Sequence, residues 1–539
     1  MPPRRRADGA GRDSEPDARP ASTAAPLNPK LLKPLLFLLV FAAAFAGLHI
    51  SHASLLGLPY YWDEAGYFIP AARDIYADGS FIPHSTLSNA HPPLVMAWIA
   101  LAWKVFGFDI EAARTAMLAV SALALAGVFA LGCRVANWRV AAATVVLTAA
   151  YPVFFAQSSL AHLDMMVAAL TVWALYFYVP PATNDEDESG ADASESRGAR
   201  RAACVALLAL AALAKETAVL VPVVLCGWEL LTCRFFRNKT RAMTCVEHGG
   251  TVWRTLALLA ACVPLALWFA YHRAQTGYTL GNPEYFRYNV ESTLNLARIL
   301  DTAWRRLGHV TVHMNLWALT VVGLAAMFLK PRRGGGGRER PRIDIPVQLL
   351  FLALILTHVF ALSVVGGAVL ARYMLPVLPL VILIWVSTLW RRVPAWPLAV
   401  ALICAAFAYR AEVNPSYSFP WEENLAYRDF VLLHRDAARF LESKYADARV
   451  LTAWPATDEL RNPYYGYTGR PLKVFAVENF LRPELERAAA RKADYDVALL
   501  YSTHGGPELE EAARLLGGRV VFHEEREGQW VAVVENSRQ

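Results

Sequence analysis

Two adjacent acids are the first residues in this chain that could do chemistry. Asp63 and Glu64 follow three aromatic residues inside a mixed stretch of nearly 60 residues, 51–108, between two apolar runs. Carboxylates are among the side chains that transfer protons in enzymes. Neighbours on a helix point in different directions, so the two acids need not share a role. The alternative is that both are solvated acids of a polar loop.

A third acid opens an apolar segment. His162-Leu163-Asp164 precedes the run from Met165 to Val179, which is long enough for a buried or membrane-spanning helix. An acid at the mouth of such a helix is costly in a membrane and often functional. Asp is also a favoured N-cap residue. Both readings stay open, and they are compatible.

Three cations occur at the ends of apolar runs: Lys215, Arg273 and Arg372. A departing lipid phosphate needs fixed positive charge, and Arg can hold phosphate oxygens with two donors. The alternative is that these side chains reach into the headgroup layer. That alternative is favoured for Arg273. Lys215 and Arg372 have apolar neighbours, which favours a binding role.

Histidines provide the only suggestion of a metal site. His309 and His313 are spaced i, i+4 at the start of an apolar helix, which suits metal ligation. His162 and Asp164 are further candidates. Interfacial polar residues explain the pair of histidines better, and a divalent metal at these residues is the alternative.

The elements that must position these residues are membrane helices. Of the 539 residues, 56% are hydrophobic and only 18% are charged, which argues against a cytosolic enzyme and against a disordered or fibrous chain. Apolar runs predict about eleven spanning helices. The runs 202–214 and 217–232 flank Lys215 and can also form one broken helix. The net charge of +6 is spread between apolar runs, so it does not indicate a nucleic-acid partner.

Basic connectors predict the orientation. They alternate with less basic ones, which by the positive-inside rule places them and the N-terminus in the cytoplasm. An odd number of spans then puts the C-terminus outside. The basic connectors are Arg4-Arg5-Arg6, Arg134 with Arg139, Arg197 to Arg201, Arg234 to Arg241, Lys330 to Arg342 and Arg391-Arg392.

The domain prediction has three parts. Residues 1–29 are a disordered cytoplasmic tail, because no apolar stripe occurs in them. Residues 30–412 form the membrane domain. Residues 413–539 alternate helical and β-like runs, which is typical of a soluble α/β domain, here on the extracytoplasmic side.

At this point the ordered motifs resemble a family, the polytopic GT-C glycosyltransferases, in the branch of the protein O-mannosyltransferases and aminoarabinose transferases. The resemblance covers roughly 30–411. The motifs that carry it are Tyr61-Trp62-Asp63-Glu64, His91-Pro92-Pro93-Leu94, Leu163-Asp164, Ala214-Lys215-Glu216-Thr217 and Arg372-Tyr373-Met374-Leu375-Pro376.

The resemblance implies a sugar donor carried on polyprenyl or dolichyl phosphate, with transfer on the outer face, usually with inversion. It implies that Asp63 is the base that deprotonates the acceptor hydroxyl, within the catalytic loop 51–108, and that Glu64 orients acceptor or base. Aminoarabinose transferases carry Phe-Glu-Lys before the paired prolines, where this chain has Asn89-Ala90-His91. The metal-binding carboxylate is therefore missing, and His91 is a candidate phosphate contact.

The expected function is a membrane glycosyltransferase of the bacterial inner membrane. Its partners are a polyprenyl-phosphate-linked sugar, membrane lipids and a lipid, glycan or protein acceptor. The alternatives are a polytopic transporter or lipid-linked-sugar flippase, favoured by the break at Lys215, and a non-catalytic scaffold. The sequence shows no clear internal repeat of the kind that many carriers have.

Overall fold

A computed structural model describes residues 29–180, 191–235, 248–334, 337–413 and 422–536. The tail predicted over 1–29 lies outside these residues except for Pro29, where the first helix begins.

Helices dominate the part of the chain before residue 413. They are α1 (Pro29–Ser51), α2 (Ile69–Asp78), α3 (Leu94–Phe106), α4 (Ile110–Val135), α5 (Trp138–Ala150), α6 (Pro152–Gln157), α7 (Leu163–Tyr178), α8 (Ala191–Ala214), α9 (Leu220–Phe235), α10 (His248–Ala260), α11 (Val263–Thr276), α12 (Pro283–Asn289), α13 (Leu296–Thr311), α14 (Leu316–Met327), α15 (Ile345–Val364), α16 (Leu378–Arg392) and α17 (Trp396–Glu412).

Five helical stretches within the described ranges have the length and apolar composition needed to cross a membrane. They are Pro34–Ser51, Ile110–Val135, Val252–Thr276, Leu296–Met327 and Ile345–Val364. Shorter apolar helices include α3, α5 and α7. The prediction of a helical membrane protein is confirmed in this form, and the count of about eleven spans stays a prediction.

Several apolar runs are interrupted by non-helical residues. The number of apolar runs in the sequence therefore differs from the number of helices long enough to span a membrane. Tyr151 is extended between α5 and α6, because a residue before proline avoids helical geometry. Met314 and Asn315 have positive φ values of 47° and 65° between α13 and α14. Lys215 is extended (φ −157°, ψ 137°) between α8 and a 3₁₀ turn at Glu216–Val219. This last break frees a cationic side chain within an apolar region.

The segment 51–108 is mostly helical. It contains a π-helical turn at Glu64–Phe68, followed by α2 and then by the apolar helix α3. Val95, Met96 and Ile99 of α3 are buried against the rest of the helical part. The segment thus packs as part of the fold, with Glu64 of the π-helical turn in the interior and Asp63 directly before that turn.

The C-terminal part forms a small mixed sheet with helices. Its elements are α18 (Ala426–Lys444), β1 (Arg449–Thr452), α19 (Ala456–Arg461), β2 (Lys473–Ala476), α20 (Arg482–Ala489), β3 (Val497–Tyr501), α21 (Leu509–Leu516), β4 (Gly518–Arg526) and β5 (Gln529–Asn536).

The sheet has the order β2-β1-β3-β5-β4. Strand β1 pairs in parallel with β2 and β3, and β5 pairs antiparallel with β3 and β4. All five residues of β3 are buried, as the apolar run 497–501 indicates. The predicted α/β pattern is confirmed; the domain boundary at 413 and the extracytoplasmic side stay predictions.

Hydrogen bonds tie this sheet-containing part to the acid-bearing segment. The Tyr60 backbone N–H donates to the Tyr465 carbonyl at 3.0 Å, and the Tyr465 hydroxyl donates to the Ala65 carbonyl at 2.7 Å. The Tyr467 hydroxyl donates to the Tyr60 carbonyl at 3.0 Å. The C-terminal part therefore helps to fix the position of Asp63.

Candidate active site

Asp63 stands at the start of the π-helical turn with 36% of its side chain exposed. The residue before it, Trp62, has a positive φ of 42°, a conformation that bulky side chains rarely adopt. The Trp62 ring packs edge-on against Trp454 at a centroid distance of 4.5 Å. Both π-helical turns and rare backbone conformations cluster at functional sites. The Asp63 carboxylate accepts a hydrogen bond from Arg372.

Glu64 has the opposite environment and is fully buried. One carboxylate oxygen accepts from the Ala161 backbone N–H at 2.7 Å, and the other accepts from the Tyr61 N–H at 2.8 Å. Arg114 of α4 pairs with it at 3.1 Å and also donates to the Pro59 carbonyl at 2.9 Å. All these contacts hold the backbone around Asp63, so Glu64 acts as an anchor and does not face the cavity.

Asp164 joins two predicted cations. It lies in the first turn of α7, where His162 is the N-cap residue and no side chain caps the helix. Its carboxylate instead accepts from Lys215 Nζ at 2.7 Å and lies 3.6 Å from Arg372 Nε. Lys215 Nζ also lies 3.9 Å from the centre of the Tyr373 ring. The structure thus favours the ion-pair reading of Asp164 over the helix cap.

Arg372 is the centre of the cluster. Besides Asp63 and Asp164, its guanidinium contacts Glu422 at 3.4 Å and His162 Nδ1 at 2.8 Å. Arg372 Nε is buried without a hydrogen-bond partner. Four side chains from three separate parts of the sequence therefore converge on one buried cation.

Burial shifts the pKa values of two groups in this cluster towards their uncharged forms. Burial raises the pKa of Glu422 to about 8, and the nearby Asp63 carboxylate acts in the same direction while Arg372 opposes them. Burial and then the Arg372 charge lower the pKa of His162 well below its usual value. The buried environment therefore favours the protonated form of Glu422 and the uncharged form of His162.

His91 faces the same region from another side. Its Nδ1 lies 2.9 Å from a Glu216 carboxylate oxygen, and its Nε2 lies 3.4 Å from the Tyr285 hydroxyl. Glu216 follows the helix break at Lys215, so the break presents an acid and a base together. His91, like Lys215 and Arg372, is thus paired with carboxylates before any substrate arrives.

Three predicted residues lie elsewhere. Arg273 is exposed and donates to the Thr279 hydroxyl at 3.0 Å. The His309 and His313 rings are 5.0 Å apart, and His313 Nε2 lies 2.8 Å from Glu423. Neither histidine nor Arg273 lines the cavity described below.

A divalent metal does not fit this cluster as it stands. Within the described ranges, one group of three possible ligands lies together: Asp63, His162 and Glu422, with one ligand atom from each within 4.8 Å of the others. Arg372 contacts all three, so its guanidinium already supplies the cation that these groups would bind. Asp164 is not in this group, and the pair His309–His313 forms no group of three.

The cluster opens into a cavity of about 790 Å³. Its lining combines helices of the membrane part with loops of the C-terminal part. Lining residues that bear on function are Trp62, Asp63, Tyr67, His91, Asp164, Lys215, Glu216, Tyr285, Tyr288, Arg372, Tyr373, Glu422, Trp454, Thr503 and His504.

A second cavity of about 640 Å³ adjoins the first one, and Asp63 and Trp454 are among the seven residues that line both. Its wall includes Thr86, Asn282 and Arg287. Asp63 is therefore reachable from two spaces, which is the arrangement that a two-substrate reaction at this carboxylate needs.

Comparison with known proteins agrees with this architecture. A family model described as dolichyl-phosphate-mannose-protein mannosyltransferase matches residues 90–268. The crystal structure of ArnT from Cupriavidus metallidurans bound to undecaprenyl phosphate superimposes with a TM-score of 0.54 at 15% identity, over 93% of this chain and 98% of that chain. No curated protein matches the chain.

More distant structures complete the comparison. The Archaeoglobus fulgidus oligosaccharyltransferase in complex with Zn and sulfate gives a TM-score of 0.45 at 14% identity, over 86% of this chain and 67% of that chain. The S. cerevisiae protein O-mannosyltransferase complex bound to the sugar donor gives 0.32 at 17% identity, over 45% and 34%.

The family-model match and the shared ArnT fold confirm the resemblance to the polytopic GT-C glycosyltransferases that the sequence predicts. The chain is a membrane protein with this fold.

Proposed function

We propose that this protein is a membrane glycosyltransferase that moves a sugar from a polyprenyl-phosphate-linked donor to a hydroxyl acceptor on the outer face of the membrane. The observation that carries the proposal is the position of Asp63. It is a partly exposed carboxylate where two cavities meet, and the wall of the larger one also holds Lys215 and Arg372.

The proposed reaction is a displacement at the anomeric carbon with inversion. Asp63 takes the proton from the acceptor hydroxyl as the oxygen attacks, and the bond from the sugar to the phosphate breaks on the opposite side. Arg372 orients the Asp63 carboxylate through their hydrogen bond. Glu64 and Arg114 hold the backbone that carries Asp63, so they are positioning residues.

The departing phosphate is assigned to Lys215 and His91, on the same wall of the larger cavity. Lys215 is bound to Asp164 at 2.7 Å and His91 to Glu216 at 2.9 Å. A phosphate that approaches either side chain therefore competes with a carboxylate, and it gains less than it would from a free cation. This exchange makes phosphate binding reversible, which product release requires.

The substrates divide between the cavities in this proposal. The donor sugar phosphate occupies the part of the first cavity lined by Lys215 and His91, while the acceptor reaches Asp63 from the side of Trp454, where the two cavities adjoin. The fold shared with ArnT, solved with undecaprenyl phosphate, supports a polyprenyl carrier. The sugar follows from neither observation.

The test uses purified protein in lipid nanodiscs with radiolabelled polyprenyl-phosphate-linked sugars. We expect the release of polyprenyl phosphate together with transfer of label to a cell-envelope acceptor extract. The same protein is also reconstituted into liposomes. Movement of the intact donor across the bilayer without its cleavage would indicate a flippase and would overturn the proposal.

A further inference from the structure

The C-terminal sheet presents a specific edge to the candidate active site. Trp454 follows strand β1 by two residues, and Thr503 and His504 directly follow strand β3 and Ser502. These three residues line the large cavity together with Asp63. Because β1 and β3 are parallel neighbours, their carboxyl ends lie at one edge of the sheet.

This edge is also a topological switch point. From β1 the chain crosses through α19 to β2 at one edge of the sheet, and from β3 it crosses through α21 to β4 at the other edge. The connections therefore leave β1 and β3 in opposite directions and open a crevice between them. In open α/β sheets, ligands bind in such crevices. Here the crevice faces the cavity that contains Asp63.

Trp454 is the most distinctive residue of the crevice. Its indole is 40% exposed although it packs against Trp62 at 4.5 Å, and it lines both cavities. The Tyr501 hydroxyl donates to the Trp454 carbonyl at 2.7 Å and fixes its backbone. A Cβ at Gly66 would lie 2.8 Å from the Trp454 ring, so the absence of a side chain there admits the ring.

The chemistry of the crevice fits a neutral sugar. Trp454 offers an apolar aromatic face, Thr503 a hydroxyl and His504 an imidazole, and none of them carries a fixed charge. An amphipathic ligand with an apolar face and a rim of hydroxyl groups satisfies all three. An anionic headgroup would find no Lys or Arg among these three residues.

We infer that the C-terminal sheet binds the acceptor at this crevice, and that the acceptor presents a saccharide there through Trp454, Thr503 and His504. The name acceptor rests on the proposed function, whereas the binding of a saccharide does not. The sheet then serves as the specificity module of the enzyme, held at a fixed distance from Asp63 by the hydrogen bonds of Tyr465 and Tyr467.

The test measures binding of methyl glycosides of hexoses, pentoses and N-acetylhexosamines to the full-length protein in nanodiscs, by saturation-transfer difference NMR. We expect at least one glycoside to bind, and Trp454→Ala to weaken it about tenfold. His504→Ala and Thr503→Val, which leave the Trp454 contacts intact, should also weaken it. His523→Ala, an exposed histidine on β4, is the matched control and should bind as the parent does.

Two results overturn the inference. One is the absence of binding by every glycoside in the panel. The other is equal binding by the parent and all three crevice variants. A Ser/Thr-containing peptide is tested in the same way. If the peptide binds and depends on Trp454 while no glycoside binds, the inference is also overturned, since the crevice would then bind a protein acceptor.

Donor cleavage is measured in the same preparations and keeps the two proposals apart. Glycoside binding that depends on Trp454 without release of polyprenyl phosphate supports the crevice and refutes the glycosyltransferase. Release of polyprenyl phosphate without glycoside binding supports the glycosyltransferase and refutes the saccharide site in the crevice. If both hold, Trp454→Ala should lose transfer to acceptor while it retains slow hydrolysis of the donor.

Discussion

Adjacent acids in this chain have different environments, and the difference defines their roles. Asp63 lines two cavities, whereas Glu64 is buried and its carboxylate oxygens accept hydrogen bonds from two backbone N–H groups and from Arg114. Because neighbours on a helical turn point in different directions, Asp63 can face the cavity while Glu64 faces the interior. The sequence indicates such a divergence but does not tell which acid turns inward.

Loss of charge at Glu64 should destabilise the protein. Glu64→Gln leaves the Arg114 guanidinium buried without its counter-ion, which costs about 3–5 kcal/mol in comparable buried pairs. We expect a clearly lower apparent melting temperature in detergent. Glu111→Gln, an exposed acid on the same helix as Arg114, is the matched control and should melt like the parent. Equal melting of both variants would contradict the anchoring role.

Glu422 should give the protein a pH-dependent stability. The folded chain retains the proton of Glu422 up to about pH 8, whereas an unfolded chain releases it near pH 4.5. The folded state therefore binds more protons between these values, and stability falls as pH rises through that window. Glu422→Gln should flatten this part of the melting profile. The exposed Glu412→Gln should keep the parent's slope; a parental slope in Glu422→Gln would contradict the assignment.

Much of the cluster could be predicted from residue types. Asp164, Lys215 and Arg372 occur at the ends of apolar runs, Asp63 and His91 occur in the mixed segment 51–108, and all five line one cavity. Helix ends on one side of a membrane are brought together by the fold, which is why this pattern is informative.

Other features of the site could not be predicted. Glu422 sits in a connector without helical or β periodicity, so nothing in the sequence relates it to Arg372. Arg273 ends an apolar run like the others, but it turns to the surface and Thr279.

At the scale of elements, breaks in helices supply the site. The extended backbone at Lys215 and the π-helical turn after Asp63 both deliver charged side chains into an apolar interior. Composition predicts the first break, because Lys-Glu interrupts two short apolar runs. It does not predict the π-helical turn, beside which Trp62 packs against Trp454.

Gly66 should be required for the contact between that turn and the C-terminal sheet. In Gly66→Ala, the new Cβ would lie 2.8 Å from the Trp454 ring, so the ring or the turn must move. Overpacking of this kind costs about 1–3 kcal/mol, and we expect a lower melting temperature with impaired transfer.

Gly47→Ala is the control for this variant, because a Cβ at Gly47 meets nothing within 4 Å. Its position inside α1 should make that change neutral or slightly stabilising. Adding Trp454→Ala to Gly66→Ala should restore part of the lost stability. If Gly66→Ala melts at the parent's temperature and transfers sugar at the parent's rate, the close approach of Gly66 to Trp454 does not contribute to stability or activity.

For the whole molecule, we propose that the cluster lies at the extracytosolic surface of the bilayer. Basic connectors predict this orientation, whereas the fold itself contains no information about sides. Ala77→Cys, exposed near the end of α2, should react with a membrane-impermeant maleimide in intact cells. Arg338→Cys, in a basic connector, should react only after lysis. The reverse pattern would place Asp63 on the cytosolic side and contradict donor use from outside.

The most direct measurement is the rate of sugar transfer by Asp63→Asn, relative to the parent, from a polyprenyl-phosphate-linked donor in nanodiscs. We expect a loss on the order of 10²–10⁴-fold, since general-base catalysis contributes about that much. We also expect membrane insertion as in the parent, and parental rates for Asp301→Asn, an exposed acid on α13. Near-parental transfer by Asp63→Asn would contradict the central claim.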